Sequence, residues 1–209
     1  MENKFILDAC CGSRMFWNNK RHPNTLYIDK RIREKGFVIK GDKREVLPDI
    51  QMDFRKLDFK DKTFKLVVFD PPHIIRNGEK GIYSKVFGIL DKDTWKEDIK
   101  KGFEECWRVL EDYGTLIFKW SESNIKSKEV LDLFIEEPLI KHGGMNTTKW
   151  FCFMKIPETQ KGEEKNGNPD HISAPRGSRT GTQGLKGNKE RSVVPPLLCK
   201  TILEIIENK

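Results

Sequence analysis

The sequence predicts an α/β fold organised around one sheet, and three observations carry that prediction. Short apolar runs alternate with longer helical or loop stretches through residue 156. Several of those runs end on an acidic residue, as strands do where they meet a ligand crevice. After Pro157 the composition changes abruptly, so the core belongs to the residues before it.

In chain order, strands are predicted at Lys4 to Asp8, Thr25 to Asp29, Ile50 to Phe54, Leu66 to Asp70, Gly114 to Trp120 and Trp150 to Ile156. A helix fits Thr94 to Leu110, because Trp95, Ile99, Phe103, Cys106, Trp107 and Leu110 recur at spacings of three and four. Asp93-Thr94 is its expected N-cap and Gly114 follows its expected stop. A second helix fits Lys126 to Phe134. Lys141 to Lys149 reads as a turn between two final strands, since Gly143-Gly144 and Asn146 accept backbone angles that other residues resist.

From Glu158 to Arg191 there is no aromatic residue, and Ile172 and Leu185 are the only large aliphatics. Such a stretch cannot bury enough surface to fold alone, so it is either a flexible linker or a segment that orders on a ligand. Beyond it, Pro195-Pro196 opens the apolar-periodic segment Leu197, Leu198, Ile202, Leu203, Ile205, Ile206, read as a short helix that docks on the main domain. The expected organisation is therefore a domain at 1–156, a basic Gly-rich segment at 157–192 and a terminal helix at 193–209.

Composition excludes several classes. The 209 residues carry 39 Lys+Arg against 32 Asp+Glu, a net charge of +7, which permits a polyanionic partner without proving one. No apolar run approaches the roughly 20 residues of a membrane span, and Met1-Glu2-Asn3-Lys4 leads into too short an apolar stretch for a secretory signal. Five cysteines in no metal-binding spacing argue against a disulfide framework or a zinc module, so no metal is expected and a reducing cytoplasm is the default.

The chemistry concentrates at the ends of strands. Ile6-Leu7-Asp8 runs into the small-residue turn Ala9-Cys10-Cys11-Gly12-Ser13, which would let backbone approach an adenosine-containing cofactor. Asp29 follows about twenty residues on, where a nucleotide-binding sheet holds ribose hydroxyls, and Asp53 closes the next run. Three such carboxylates suit a cofactor that lacks phosphates and carries positive charge. The glycine fingerprints of dinucleotide and triphosphate sites are both missing. For any one Asp, the alternative is a simple turn cap.

Leu66-Val67-Val68-Phe69-Asp70-Pro71-Pro72-His73 is the sharpest local signal. Paired prolines stiffen the turn and remove two N–H donors, so the Asp70 carboxylate and the Pro71 carbonyl can both face a site as acceptors. Two acceptors match an amino group with two N–H bonds. His73 adds either a ring on which a base could stack or a proton acceptor near neutrality. The alternative is a stiff turn with a surface histidine.

Asp8-Ala9-Cys10-Cys11-Gly12-Ser13, Asp29, Asp53 and Asp70-Pro71-Pro72-His73, in that order, resemble the motif set of class I S-adenosylmethionine-dependent methyltransferases over residues 4–156. The tetrapeptide is similar to the motif of amino-methyltransferases that modify adenine in nucleic acid, including phage and bacterial DNA enzymes. The resemblance implies a Rossmann-like, mostly parallel sheet whose last strand is antiparallel. It implies S-adenosylmethionine bound by Asp8, Cys10, Cys11, Gly12, Asp29 and Asp53, with Asp8 and Gly12 bordering the methionine part, Asp29 the ribose and Asp53 the adenine. It further implies that Asp70, Pro71, Pro72 and His73 form the catalytic segment. A base inside a duplex would have to be flipped out to reach it. The sequence departs from the family in a sparser glycine loop and in His73, where another aromatic is commoner.

In the tail, Arg176, Arg179, Lys186, Lys189 and Arg191 stand among glycines and hydroxyls, a mixture suited to nucleic-acid phosphates. The tail also resembles those of DNA methylases, with Lys189 to Pro196 similar to a segment that packs beside the cofactor in cytosine-ring enzymes. Ring methylation is disfavoured, because it needs a nucleophilic Cys, normally after Pro, and no Pro-Cys dipeptide occurs. The expected activity is methyl transfer to an exocyclic amino group, with adenine in DNA preferred. An RNA, small-molecule or protein methyltransferase and a non-catalytic nucleic-acid-binding module are the competing readings.

Overall fold

The ladder of backbone hydrogen bonds joins seven strands in the order β3-β2-β1-β4-β5-β7-β6. This computed structural model describes residues 4–75, 81–143 and 147–160. The strands are β1 (Ile6–Asp8), β2 (Thr25–Asp29), β3 (Ile50–Gln51), β4 (Phe64–Phe69), β5 (Leu110–Ser121), β6 (Ile140–Gly143) and β7 (Thr148–Met154). All pairings from β3 across to β5 are parallel, and β7 runs antiparallel to both neighbours. The expected Rossmann-like α/β sheet with one antiparallel strand is what the chain forms. The expected 157–192 and 193–209 segments, including the five cations named above, lie outside the described residues apart from 157–160.

The order reverses at β1, which has β2 on one side and β4 on the other. In open α/β sheets the crevice at such a switch point, beyond the carboxyl ends of the strands, is where ligands bind. Asp8 ends β1 and Asp70 follows β4, so both acids stand at that crevice.

Helix α1 (Ile82–Phe87) was not expected, helix α2 (Trp95–Val109) matches its periodicity, and helix α3 (Ser127–Leu131) is shorter than its apolar pattern. α2 buries Trp95, Ile99, Phe103, Cys106 and Val109. At Gly102 the helix leaves no room for a side chain: a Cβ there would lie 2.5 Å from Phe54 and 2.7 Å from Phe69. The core is strongly aromatic, with Phe103 and Phe134 stacked at 3.8 Å between centroids. Fully buried Trp120 satisfies its indole N–H on the Ile125 carbonyl at 3.0 Å.

Three local expectations change. Thr94 occupies the N-cap position, but its hydroxyl donates to the Asp98 carboxylate at 3.0 Å instead of accepting from a backbone N–H. Gly114 does not punctuate a loop, because β5 starts at Leu110 directly after α2, and residues 111–114 form a bulge with Tyr113 at φ 61°. Lys141 to Gly143 belong to β6, pairing with Lys149 to Phe151, so the predicted turn is shorter than Lys141 to Lys149. Exposed backbone on an edge strand pairs without needing an apolar pattern, and every residue of β6 is exposed.

The connection from β1 to β2 contains no helix. Residues 9–24 instead cover β2 with side chains: Trp17 packs edge-on to Tyr27 at 5.4 Å, and the Arg14 guanidinium lies 3.8 Å above the Tyr27 ring. No helix among the described residues is long and apolar enough to cross a membrane.

Candidate active site

Two cavities open at the switch point and share Cys10, Arg31, Asp70 and Phe87 in their walls. The first, about 520 Å³, runs from Ala9 and Asp29 to Pro72 and α1, within the roughly 300 to 1,000 Å³ of small-molecule sites. The second, about 270 Å³, lies between the Asp8 to Ser13 turn and Asp70, Pro71 and His73, with Phe16, Lys119 and Trp150 opposite. Asp8, Cys10, Cys11, Gly12, Asp29, Asp70, Pro71, Pro72 and His73 are thus brought together as the sequence anticipated. Asp53 is not: it lies beyond the end of β3 and lines neither cavity, whereas its neighbour Phe54 lines the first.

Gly12 adopts φ +47°, a left-handed angle that a side chain resists, and its N–H donates to Asp29 Oδ2 at 3.0 Å. Gly88, at φ +82°, closes α1 against the prolines, and a Cβ there would meet Pro72 at 3.0 Å. Gly88 thus lines the first cavity, and Gly12 the second and third.

Three Asp-x-Arg tripeptides recur in this part of the chain: Asp29-Lys30-Arg31, Asp42-Lys43-Arg44 and Asp53-Phe54-Arg55. In each, the arginine N–H donates to its own aspartate at 2.9 to 3.0 Å and the guanidinium folds back onto the same carboxylate. Asp29 accepts four bonds in this way, three from Arg31 and one from Gly12, which fills the roughly four lone-pair directions of a carboxylate. Burial alone would raise the Asp53 pKa, but the bonds from Arg55 bring it below the usual carboxylate range. Asp70 is paired too, with Lys119 Nζ at 2.6 Å.

Asp8 has no cation. Burial pushes its pKa up to about 7, while the Trp17 indole N–H at 2.7 Å and the Cys10 N–H at 3.2 Å pull it down and the charges of Asp70 and Asp29 raise it further. The cluster is therefore close to electrically neutral, not acidic as three strand-end carboxylates suggested. Desolvated carboxylates either recruit a cation or take up a proton.

His73 is lowered below the ordinary histidine range, first by burial, with Lys119 adding to it and Asp70 and the Pro71 carbonyl opposing it. Its ring lies 6.0 Å from Phe87 and 6.2 Å from Trp120. Burial also drives the Cys10 and Cys11 thiols up, so they stay protonated and pack. Among the described residues no group of His, Cys, Asp or Glu could hold a metal ion.

Two buried hydroxyls have no hydrogen-bond partner among the described residues. Ser84 Oγ, on α1, lines the first cavity, and Ser13 Oγ lies in the turn beside the second. A buried hydroxyl left unsatisfied costs about 1 to 3 kcal/mol, so an orphan in a cavity wall marks the place of a polar ligand atom. The first cavity thus offers a free hydroxyl and a small-residue turn to an adenosine-containing cofactor. Asp29 fits the ribose role only when Arg31 swings away from it.

A third cavity, about 550 Å³, adjoins the second through Gly12 and Ser13. Arg14, Lys20, Arg21, Lys43 and Arg44 line it against Asp42 and Glu45. Arg44 is spent on Asp42 and Arg14 on Asp49, while exposed Lys20, Arg21 and Lys43 have no ion pair among the described residues.

Sequence reasoning missed Arg31, Ser84, Lys119, Trp150 and Phe16 as site residues. Lys119 had a signal, being a charged residue inside the apolar alternation Leu116 to Trp120. Arg31 had one in the repeated Asp-x-Arg spacing. Ser84 had none, since α1 itself was not foreseen.

No family model matches the chain, and no curated protein does. Among solved structures, PH0226 from Pyrococcus horikoshii is 15% identical with a TM-score of 0.41, covering 73% of this chain and 81% of its own. HI0767 from Haemophilus influenzae, whose assignment as a methylase is provisional, is 12% identical at 0.40, covering 74% and 88%. An S-adenosylmethionine-dependent methyltransferase from Leishmania major is 15% identical at 0.43, covering 70% and 63%. The class of fold stated above rests on the chain's own strand ladders.

Proposed function

We propose that the chain is a methyltransferase that moves a methyl group from S-adenosylmethionine to an exocyclic amino group of a nucleic-acid base, adenine in DNA first. The observation that carries this reading is that Asp70-Pro71-Pro72-His73, at the end of β4, and the Asp8 to Ser13 turn, at the end of β1, face one another across the switch point. The cofactor belongs in the first cavity, held by Asp29 and Ser84, and the target base in the adjoining second cavity, which Gly12 lines. Asp53, turned onto Arg55, contributes to the wall only through Phe54.

The cofactor supplies a methyl group already activated by positive sulfur, so the chain's tasks are positioning and electrostatics. Asp70 Oδ1, which has no partner among the described residues, and the Pro71 carbonyl accept the two amino N–H bonds and aim the nitrogen lone pair along the line of transfer. The nitrogen then sheds one proton, for which Asp70 is the adjacent base. His73 is neutral near pH 7 and offers a ring face rather than a charge. Phe16 and Trp150, stacked at 4.9 Å between centroids, close the other side of the base cavity.

What favours nucleic acid over a free small molecule is the basic groove beside the base cavity, where Lys20, Arg21 and Lys43 are available to phosphates. Arg176, Arg179, Lys186, Lys189 and Arg191 are proposed, from the sequence alone, as further phosphate-binding cations. Incubation with labelled S-adenosylmethionine and either DNA or RNA, followed by digestion to nucleosides, tests the proposal. Label in N6-methyl-2′-deoxyadenosine from DNA is expected. Label in RNA alone selects the RNA reading, and binding of DNA without label on any base selects the non-catalytic one.

A further inference from the structure

Asp70, Lys119 and Trp150 stand in one row across the sheet. Lys119 is the residue of β5 that follows Phe118, the ladder partner of Phe69, and it is itself paired with Trp150 of β7. Its Nζ lies 2.6 Å from Asp70 Oδ2 and 5.8 Å from the Trp150 ring centroid, and all three residues line the base cavity. An ammonium has three N–H donors. One is used on Asp70, and no other hydrogen bond from Lys119 is made among the described residues. Asp70 Oδ1 is likewise unused. The pair therefore presents an acceptor and a donor side by side.

An amino-substituted base carries the complementary pattern, an exocyclic N–H next to an unprotonated ring nitrogen, N1 beside N6 in adenine and N3 beside N4 in cytosine. A flipped base is read on this Watson–Crick edge. We propose, resting on the function assigned above, that Lys119 is a specificity residue, donating to the ring nitrogen beside the target amino group while Asp70 accepts from that group. The contact acts on recognition and not on chemistry. Donation to the ring nitrogen draws the amino lone pair into the ring, so it weakens the nucleophile slightly while selecting it. A primary alkylammonium, such as a lysine side chain, offers no ring acceptor and repels the cation.

The test compares DNA containing adenine, 1-deazaadenine or 7-deazaadenine at the methylated position, with wild type, Lys119→Met and Lys119→Arg. A charge-assisted hydrogen bond predicts that wild type discriminates against 1-deazaadenine by about 10-fold or more in KM, with kcat unchanged or higher. It predicts no such penalty for 7-deazaadenine. Lys119→Met should bring the 1-deaza penalty to about 1-fold, and Lys119→Arg should restore part of it. A penalty that persists in Lys119→Met, or is absent from wild type, overturns the inference while leaving the methyltransferase reading intact. If wild type transfers no methyl to any base, that reading fails, and calorimetric binding of adenosine and 1-deazaadenosine decides the role of Lys119 alone. Equal affinities in wild type overturn it. A preference for adenosine that Lys119→Met abolishes upholds it.

Discussion

Asp8→Asn probes the energetic centre of the site. The Asp8 carboxyl is raised from 3.8 to about 7 by burial, a difference of about 3 pK units that corresponds to about 4 kcal/mol. Between about pH 4 and pH 7 the folded chain holds a proton that the unfolded chain has released. Wild-type stability should therefore fall as pH rises through that window, and flatten above it. Asparagine cannot ionise and removes this descent. It has one oxygen where Asp8 accepts from both Trp17 and Cys10, so it forfeits one hydrogen bond, about 1 kcal/mol. The variant should be about 1 kcal/mol less stable than wild type near pH 4 and about 3 kcal/mol more stable at pH 8. Urea titrations from pH 4.5 to 8.5, followed by tryptophan fluorescence, measure this directly, with the m-value held as a check on two-state behaviour. A wild-type-minus-variant difference that does not change with pH would refute the reasoning.

Two further expectations concern the cavities and a third the core. Ser84→Ala removes an orphaned hydroxyl, so the melting temperature without ligand should stay level or rise, while calorimetric affinity for S-adenosylmethionine falls about 3- to 10-fold. Asp70→Ala should abolish labelled-methyl transfer and leave cofactor affinity within about 3-fold, because Asp70 meets the acceptor and not the ribose. Gly102→Ala forces a methyl to within 2.5 Å of Phe54, and the overpacking should cost about 1 to 3 kcal/mol in denaturant titrations.

Particular residues show how far the chain could be read before its structure. Ile6 to Asp8, Thr25 to Asp29 and the periodic face of Trp95 to Val109 were legible because buried strands and amphipathic helices impose a local apolar pattern. The strand before the Lys141 to Lys149 turn was expected but given no bounds, because an exposed edge strand such as β6 imposes no apolar pattern. The strand-end acids were legible as a set, but their charge was not. Arg31 and Arg55 neutralise Asp29 and Asp53 from two residues away, a signal present in the sequence and unread. Lys119 neutralises Asp70 from 49 residues away, through a ladder register that spacing does not reveal.

Strand identity, the Asp70-Pro71-Pro72-His73 tetrapeptide and the small-residue turn are local properties, written in runs of a few residues and fixed by side-chain periodicity and backbone stiffness. Protonation and pairing are not local. Whether Asp8 is charged depends on how deeply the sheet and Trp17 bury it, and whether Asp70 is free depends on which residue of β5 lies beside it. The orphaned Ser84 hydroxyl exists only because α1 folds over the crevice. Electrostatic energies scale with distance and dielectric, and both are set by packing between segments far apart in the chain.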